Sequence, residues 1–369
     1  MHIATLAGGM SPDRDLILKA LEQVIDPELK RPVTELDMVR DVTVDGGHVA
    51  VTIALTVAGC PLRSSFQDQV DRYVGAVPGV ESVSLSFDVM SPDEKAALAT
   101  RLRGGRAEKS ISLGPSVRVV AVASGKGGVG KSTLTANLAA SLAARGESVG
   151  VLDADIYGHS IPHMLGVQQR PIVVDQMIIP PVRGELKLMS IGFFLDDNSP
   201  VMWRGPMLHR ALEQFLSDVH WGEIDTLLVD MPPGTGDVAI SLGQLLPRAE
   251  VVVVTTPQPA AQQVAVRAAQ MAEKVGMRIS GVIENMSYLV GTGQEIFGSG
   301  GGERLAEEVG APLLGRVPLD PVLREAADAG TPVREVAPGS EAALAIDALA
   351  ERLQSARPGA IRKALTLLS

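Results

Sequence analysis

The chain has 369 residues, of which 46% are hydrophobic and 21% are charged, and its formal net charge is −10. This length and apolar content predict two or three folded units and exclude wholesale disorder, while the negative charge argues against nucleic acid as a partner. No apolar run reaches the roughly 18 residues of a membrane span, and residues 1–10 lack a secretory pattern, so we expect a cytoplasmic protein without stable membrane association. The single cysteine, Cys60, excludes an intrachain disulfide.

Residues 1–90 are predicted to form a small α/β unit. Some of its segments have apolar side chains at helical spacing, and others alternate between apolar and polar side chains. A Gly-Gly pair between two alternating runs is typical of a hairpin turn. The predicted elements are, in order, a helix opened by Ser11-Pro12-Asp13 and continuing to Ile25, a hairpin that turns at Asp45-Gly46-Gly47 and ends at Val57, a helix over residues 62–77, and a strand through Val83, Leu85 and Phe87.

Residues 91–115 are predicted to be a linker that contains one short helix. Ser91-Pro92-Asp93-Glu94 has the capping-box pattern, in which the serine and glutamate side chains each accept from the other residue's N–H. Gly104-Gly105 marks the expected end of that helix.

Residues 116–357 are predicted to fold as a doubly wound α/β domain with a mostly parallel sheet. Apolar, β-branched runs alternate with helical patterns over this range, and a parallel sheet covered by helices requires strands that are apolar on both faces. The predicted strands are 117–123, 149–152, 226–229, 251–255 and 279–283. A tail of residues 358–369 follows.

The stretch from Gly125 to Ser132 satisfies Gly-x-x-x-x-Gly-Lys-Ser. It lies between a predicted strand and a helix predicted over Lys131 to Ala144, which is the context of a P-loop. Its glycines allow backbone N–H groups to surround phosphate oxygens at a helix N-terminus. Lys131 is expected to reach the β- and γ-phosphates of ATP, and the Ser132 hydroxyl to ligate Mg²⁺. The predicted ATP-binding residues of the loop are Gly125, Lys126, Gly127, Gly128, Val129, Gly130, Lys131, Ser132 and Thr133.

Carboxylates follow two apolar strands at the edge of the sheet where ligands of open α/β sheets bind. Asp153 and Asp155 follow one strand, and we expect Asp155 to orient the attacking water while Asp153 supports Mg²⁺. Asp230 follows another strand and is expected to hold the water shell of Mg²⁺. An aspartate at a strand end can instead cap the next element, and this alternative stays open for Asp153 and Asp230. The loop after Asp230 is expected to place the Gly234 N–H against the γ-phosphate.

Lys126 gives the loop the form Lys-Gly-Gly-x-Gly-Lys-Ser, and with it the chain resembles the deviant P-loop ATPases. These include the nitrogenase iron protein and the cell-division and plasmid-partition ATPases. The resemblance implies a homodimer that encloses two ATP molecules, with Lys126 crossing to the partner's nucleotide and acting in catalysis beside Lys131 and Asp155. The alternative is that Lys126 is a solvated loop lysine. The resemblance also implies an adenine pocket formed by Asn285, Pro318 and Asp320.

Six motifs in chain order narrow the resemblance to the Mrp (ApbC-like) family of ATP-binding iron–sulfur cluster carriers. They are Gly125 to Ser132, Asp153 to Gly158, Arg204-Gly205-Pro206, Asp230 to Asp237, Glu284 to Ser287 and Ile296 to Gly302. In the first unit, Asp26-Pro27-Glu28-Leu29 and Gly59-Cys60-Pro61 resemble the small iron–sulfur assembly domain that many bacterial members carry. The resemblance implies that the dimer moves clusters to apo iron–sulfur proteins as it binds and hydrolyses ATP.

Members of that family usually carry Cys-x-x-Cys shortly after the Asn-Met-Ser stretch, where two pairs in a dimer can hold a cluster through four thiolates. In this chain Gly291 and Gln294 stand at those positions, and neither side chain is a ligand for such a cluster. Cys60 is the remaining candidate ligand, because a thiol at a helix N-terminus has a lowered pKa. The alternative is that Cys60 is an ordinary buried side chain.

Two other functional classes stay open from the sequence. A MinD/ParA-like positioning ATPase would use the same nucleotide-driven dimerisation to sit on a membrane or on DNA. The tail favours a membrane surface, because Ile361, Leu365 and Leu368 share one helical face beside Arg362 and Lys363. An ATP-gated adaptor without a cluster would instead use its N-terminal unit to dock a partner.

Overall fold

The computed structural model describes residues 12–57, 62–103, 111, 113–156, 158–194, 205–234 and 236–356. Its contacts divide the chain into two compact units. The small unit comprises the residues up to 113 together with 169–182 and 213–222, and the large unit comprises 114–168, 183–212 and the residues from 223 onward. The domain bounds expected from the sequence, 1–90, 91–115, 116–357 and 358–369, stay predictions.

The helices and strands have the following bounds. In chain order, the strands are β1 (Val39–Asp45), β2 (His48–Leu55), β3 (Ser82–Val89), β4 (Arg118–Ser124), β5 (Val149–Asp153), β6 (Ile172–Val174), β7 (Met177–Ile179), β8 (Val182–Arg183), β9 (Leu186–Ser190), β10 (Thr226–Asp230), β11 (Glu250–Thr255), β12 (Arg278–Leu289) and β13 (Leu313–Leu319). The helices are α1 (Arg14–Leu21), α2 (Arg63–Tyr73), α3 (Pro92–Arg103), α4 (Lys131–Ala144), α5 (Ile161–Met164), α6 (Gly205–Ser217), α7 (Asp237–Leu245), α8 (Pro259–Lys274), α9 (Gly301–Glu308), α10 (Pro321–Asp328), α11 (Val333–Val336) and α12 (Glu341–Ser355), with a 3₁₀ helix at Ile191–Phe194. None of the described helices is long and apolar enough to cross a membrane.

The small unit is built on a sheet in the order β1-β2-β3. β1 and β2 are antiparallel, with Asp45 opposite His48, which confirms the predicted hairpin. β2 and β3 are parallel. The apolar core of the unit includes Ile17 of α1 and Phe66 of α2, and the centroid of the Phe66 ring lies 6.4 Å from that of Phe87.

The first helix has different bounds from the predicted ones. The Asp13 carboxylate caps α1 by accepting the N–H of Asp15 at 2.9 Å, so the predicted cap at Ser11, which lies outside the described residues, was wrong. The helix does not continue to Ile25, because this residue pairs with Pro32 in a β-bridge. Helical spacing of apolar side chains therefore extended beyond the helix itself.

Ser91 and Glu94 form the predicted capping box at the start of α3. The Glu94 N–H donates to Ser91 Oγ at 3.3 Å, and the Ser91 N–H donates to Glu94 Oε2 at 2.7 Å. The Ser91 N–H and the side chain of Arg40 lower the pKa of Glu94 to about 2. The predicted helix end at Gly104-Gly105 lies outside the described residues, as do Cys60 and the tail of residues 358–369.

The large unit is built on an eight-stranded sheet in the order β13-β12-β11-β4-β10-β5-β9-β8. Each neighbouring pair from β13 to β9 is parallel. Every residue of β5, β10 and β11 is buried, as expected for strands covered on both faces. The structure therefore confirms the predicted doubly wound, mostly parallel α/β fold.

β4 lies within the sheet between β11 and β10, so later strands are added on either side of it. Ligands of such sheets bind at the carboxyl ends of the strands, where the order reverses. The five strands predicted for this unit are confirmed, but β12 continues past Ile283, so Asn285 lies within the strand and not at its end. The apolar pattern stops earlier than the strand because Glu284 and Asn285 are polar although they are buried.

Candidate nucleotide site

The P-loop joins β4 to α4 through glycines in the left-handed region of backbone conformation. Gly128 has a φ of +78°, and Gly130, the N-cap of α4, has a φ of +81°. Residues with a Cβ rarely adopt such angles. A Cβ on Gly130 would also lie 2.2 Å from Asn285 Nδ2. Both backbone conformation and space therefore require glycine at position 130.

Asn285 supports the P-loop from β12. Its Nδ2 donates to the backbone carbonyl of Val129 at 2.8 Å, and the side chain is buried. A second close contact comes from α8, since a Cβ on Gly125 would lie 2.3 Å from Ala265 N. The loop is thus held against β12 and α8, which follow it by more than 100 residues in the chain. Support of the P-loop by Asn285 was not predicted from the sequence.

Asp230, the last residue of β10, accepts hydrogen bonds from three side chains of α4. Its Oδ2 accepts from Lys131 Nζ at 2.7 Å and from the Ser132 hydroxyl at 2.6 Å, and its Oδ1 accepts from the Thr135 hydroxyl at 2.8 Å. The Asp230 side chain is buried, and Lys131 is only 6% exposed. Thr135 was not predicted, although its position four residues after Lys131 places it on the same helix face.

This cluster has the composition of a magnesium site. Burial raises the pKa of Asp230, while the Lys131 ammonium and the hydroxyl donors oppose that rise. A carboxylate oxygen and a hydroxyl oxygen 2.6 Å apart are ligands of the kind that Mg²⁺ prefers. Ser132 and Asp230 therefore fit the predicted cation, and Lys131 contacts the same carboxylate oxygen in this structure.

Asp153, the last residue of β5, faces the loop that follows it. Its Oδ1 accepts the N–H of Asp155 at 3.2 Å, and its Oδ2 accepts the N–H of Ile161 at 3.3 Å and the hydroxyl of Ser190 at 3.1 Å. Burial, reinforced by the charge of Asp230 on the neighbouring strand, raises the pKa of Asp153 to about 7. Asp153 thus anchors its own loop, and its support of Mg²⁺ stays a prediction.

Asp155 lies just beyond β5 and is 9% exposed. Its Oδ1 accepts the N–H of Gly158 at 3.1 Å, which holds the carboxylate within the loop. Strand alternation over residues 153–155 would place the side chains of Asp153 and Asp155 on the same side of the chain. Because β5 ends at Asp153, the hydrogen bond from the Asp155 N–H to Asp153 Oδ1 fixes the position of the two residues relative to each other.

Lys126 is partly buried and hydrogen-bonded. Its Nζ donates to Gln258 Oε1 at 3.1 Å, and Gln258 is the N-cap residue of α8. The Lys126 carbonyl accepts the hydroxyl of Ser124 at 3.1 Å. Within one chain, Lys126 therefore has a neutral side-chain partner, in contrast to the carboxylate partner of Lys131.

The loop after β10 is joined to the end of β4. The Gly234 N–H donates to the Ser124 carbonyl at 2.9 Å, and Gly234 has a φ of +93°. Contact of this N–H with a γ-phosphate, as expected from the sequence, requires that hydrogen bond to open. In this structure the Ser124 carbonyl is the acceptor, and contact with a γ-phosphate stays a prediction.

Asp320 carries a buried oxygen without a hydrogen-bond partner among the described residues. Its Oδ1 caps α10 by accepting the N–H of Val322 at 2.9 Å, whereas its Oδ2 is buried and unpartnered. The residue is 5% exposed, and the nearby Pro318 is buried. A buried acceptor without a donor is costly, so this oxygen is suited to the amino group of a ligand. The arrangement fits the adenine pocket expected at Pro318 and Asp320.

An exposed turn follows β12 where the family's cysteines are expected. The Leu289 N–H donates to the Gln294 carbonyl at 2.9 Å, and Gly291 has a φ of +84°. Gly291 and Gln294 are both exposed. Across the described ranges, no group of three or more His, Cys, Asp and Glu side chains is placed to hold a metal ion.

Profiles of two known families match the sequence. The NUBPL iron-transfer P-loop NTPases match residues 116–354, and an iron-sulfur cluster assembly protein matches residues 14–85. The iron-sulfur cluster carrier protein of Mycobacterium tuberculosis is 53% identical over 356 residues, which are 93% of this chain and 93% of that protein.

Two solved structures resemble the chain in fold. A nucleotide-binding protein from Archaeoglobus fulgidus in complex with ADP is 37% identical with a TM-score of 0.52, over 59% of this chain and 88% of that chain. The septum site-determining protein MinD from Pyrococcus horikoshii, complexed with Mg-ADP, is 25% identical with a TM-score of 0.50, over 64% of this chain and 96% of that chain. From its motifs, its fold and these matches, the chain belongs to the iron–sulfur cluster carrier family of P-loop NTPases.

Proposed function

We propose that this protein is a homodimeric ATPase that binds iron–sulfur clusters and transfers them to apo iron–sulfur proteins. The contacts that Lys131 and Ser132 of the P-loop make with the buried Asp230 carry the ATPase part of the proposal. The relatives, which are named iron-sulfur cluster carrier proteins, support the carrier part. ATP is the substrate, the cluster is the cargo, and Mg²⁺ is the cation that accompanies the nucleotide.

The P-loop binds the phosphates of ATP in this proposal. Backbone N–H groups of residues 125–133 donate to the phosphate oxygens, and Lys131 contacts the β- and γ-phosphates. Ser132 and Asp230 would hold Mg²⁺, which would neutralise phosphate charge. Adenine is bound by a pocket that contains Asn285, Pro318 and the unpartnered oxygen of Asp320.

Hydrolysis transfers the γ-phosphoryl group to water. The water oxygen bonds to the γ-phosphorus as the bond to the ADP oxygen breaks, and the products are ADP and phosphate. Asp155 orients the water, because its carboxylate is held in the loop by Gly158. Lys131, and Lys126 from the partner, stabilise the charge that develops on the transferred group.

Nucleotide binding changes hydrogen bonds that this structure contains. Lys131 and Ser132 are shared between Asp230 and an incoming phosphate, so their contacts to Asp230 rearrange. The Gly234 N–H exchanges the Ser124 carbonyl for a phosphate oxygen, and Lys126 leaves Gln258 to cross the dimer interface. Such exchanges couple the loops to the nucleotide state.

The cargo site involves Cys60, because it is the single cysteine of the chain. Two copies in a dimer provide two thiolates, and a client protein's ligands complete the coordination. The decisive experiment is anaerobic reconstitution with iron and sulfide, followed by quantification of both per dimer in wild type and in Cys60→Ser. Cluster formation in wild type alone supports this ligation.

A second candidate function, an ATP-gated adaptor without a cluster, is also favoured by the presence of a single cysteine in the chain. If wild type hydrolyses ATP but holds no iron or labile sulfide after reconstitution, the carrier proposal is wrong. The ATP-gated adaptor without a cluster then becomes the better description. Cluster formation that persists in Cys60→Ser would place ligation elsewhere.

A further inference from the structure

The end of β9 packs against the loop that carries Asp155. We call residues 154–156 and 158–161 the Asp155 loop and the segment from Ser190 to Gly192 the β9 corner. The Ser190 side chain is fully buried, its hydroxyl donates to Asp153 Oδ2 at 3.1 Å, and its oxygen accepts the Gly192 N–H at 3.1 Å. One serine therefore connects the backbone of the corner to the carboxylate that ends β5.

That carboxylate holds the Asp155 loop at two points. Asp153 Oδ1 accepts the N–H of Asp155, and Asp153 Oδ2 accepts the N–H of Ile161. The two N–H donors lie near opposite ends of the loop, so the orientation of the single Asp153 carboxylate fixes the position of both ends. Ser190 is the side-chain donor that fixes this orientation, because it shares Oδ2 with the Ile161 N–H.

A second contact joins the corner to the middle of the loop. A Cβ on Gly192 would lie 2.2 Å from His159 Cδ2 and 2.8 Å from His159 Cγ. The imidazole therefore lies directly against the Gly192 α-carbon, and any larger residue at position 192 would displace it. The His159 ring is also held by a contact of 3.3 Å between Nδ1 and the Ile156 carbonyl.

We propose that Ser190 and Gly192 are positioning residues for ATP hydrolysis, and that they act by holding the Asp155 loop in its productive place. This inference rests on the proposed function and on the role of Asp155 within it. The β9 corner does not take part in phosphate binding, which is the task of the loop between β4 and α4. Its loss should therefore slow the chemical step and leave ATP binding nearly unchanged.

The expected fall in kcat follows from the need to position the attacking water. A displacement of about 1 Å in a catalytic group can cost about 100-fold in rate. Removal of one hydrogen bond to a carboxylate leaves the other two contacts of Asp153 in place, so a smaller effect is expected. We expect a fall in kcat of about tenfold for the loss of the Ser190 hydroxyl, the scale of one hydrogen bond to a charged group.

The first test compares Ser190→Ala with Ser190→Thr in the full chain under steady-state ATP hydrolysis. The alanine variant should lower kcat about tenfold with KM for ATP changed less than about twofold, and threonine, which keeps the hydroxyl, should restore much of the rate. Ser280→Ala is the matched control, since Ser280 is also a buried strand serine but donates to the Val251 carbonyl. Its kcat should equal that of wild type.

The second test is a double-mutant cycle between Gly192→Ala and His159→Ala. The added methyl group should reduce kcat in the wild-type background and have much less effect once the imidazole is absent. Gly339→Ala serves as control, because a Cβ there meets nothing within 4 Å. Equal effects of Gly192→Ala in both backgrounds would contradict the proposed packing.

Hydrogen exchange separates this inference from the proposed function. Peptides that contain the amides of Asp155 and Ile161 should exchange faster in Ser190→Ala than in wild type. If wild type does not hydrolyse ATP, the proposed function is wrong. If wild type hydrolyses ATP and Ser190→Ala matches it in kcat and in exchange, the positioning role is refuted while the ATPase stands.

Discussion

Buried carboxylates occur in both units, and their surroundings differ. In the large unit, Asp230 accepts hydrogen bonds from an ammonium and two hydroxyls. In the small unit, Asp26 is 6% exposed, and its Oδ1 accepts the backbone N–H groups of Glu28 and Leu29. Burial raises the pKa of both aspartates, and burial together with the charge of Asp26 raises the pKa of Glu28 to about 7.

The difference shows that the charged neighbour of a buried carboxylate decides how its ionisation affects the fold. The Lys131 ammonium lies beside Asp230 and compensates its negative charge. Glu28 is largely buried and has a second carboxylate, Asp26, as its charged neighbour, so its ionisation opposes the fold. The stability of the region around Asp230 should therefore respond to removal of the Lys131 side chain. The stability of the region around Glu28 should respond to pH.

The largest effect is expected from removal of the cation in the first region. Lys131→Ala should weaken ATP binding at least about 100-fold, because a charge-assisted contact to phosphate is lost, and should cost about 3 kcal/mol of stability at neutral pH, because Asp230 stays buried without its ammonium. Titration with a fluorescent ATP analogue and urea denaturation measure the two effects.

Lys126→Ala is the matched control for that prediction, since Lys126 is paired with the neutral Gln258. It should cost at most about 1 kcal/mol of stability. Similar losses of stability in the two variants would show that pairing with the Asp230 carboxylate does not make Lys131 more important for stability than Lys126.

Removal of the Asp155 carboxylate should separate binding from hydrolysis. Asp155→Ala should reduce kcat at least about 100-fold, the scale of a lost catalytic acid or base, while ATP still binds. Asp155→Asn retains an oxygen for the Gly158 N–H but lacks the charge, and it should be equally slow. Single-turnover hydrolysis and equilibrium ATP binding are the measurements, and a wild-type rate in either variant would refute the assigned role.

Gly130→Ala tests the packing of the P-loop against β12. The substitution should cost about 2–3 kcal/mol, from left-handed backbone strain and from displacement of Asn285 from the Val129 carbonyl. Gly128→Ala has a similar φ, but its Cβ meets nothing within 4 Å, so it should cost about 1–2 kcal/mol. The difference between the two variants in free energy of unfolding, measured by urea denaturation, isolates the clash with Asn285. Equal losses of stability would argue against this clash.

The stability of the small unit is expected to depend on pH through Glu28. The pKa of Glu28 in the folded chain, about 7, is above its ordinary value of 4.5, so the folded state binds more protons between these values. Stability should be highest below pH 4.5 and should fall as the pH rises through 7, by up to about 3 kcal/mol from this residue. Glu28→Gln should flatten that slope in urea denaturation at pH 5 and pH 7.5.

Glu22→Gln is the control for the pH experiment, because Glu22 is an exposed carboxylate of the same unit. Its pH profile should follow that of wild type. If Glu28→Gln also follows the wild-type profile, burial of Glu28 does not control the stability of this unit.

Local features of the molecule were predictable from the sequence. The P-loop, α4 and the strands around them were identified because apolar periodicity and glycine spacing depend on neighbouring residues. The start of α1 was missed because Ser11-Pro12 and Asp13 are all acceptable at a helix N-terminus, and the competing cap by Asp13 is decided by backbone geometry. The end of β12 was missed because the buried polar residues Glu284 and Asn285 interrupt the apolar pattern inside the strand.

The sequence by itself determined the fold class, the family and the phosphate-binding loop, since these follow from local patterns and motifs that can be read along the chain. Only the tertiary structure decided which side chains meet. Lys131 and Asp230 are 99 residues apart in the chain, and Asn285 lies 156 residues from Val129. Ser190 reaches Asp153 from another strand. No local pattern specifies such pairs, because the packing of parallel strands and the burial of polar groups select them.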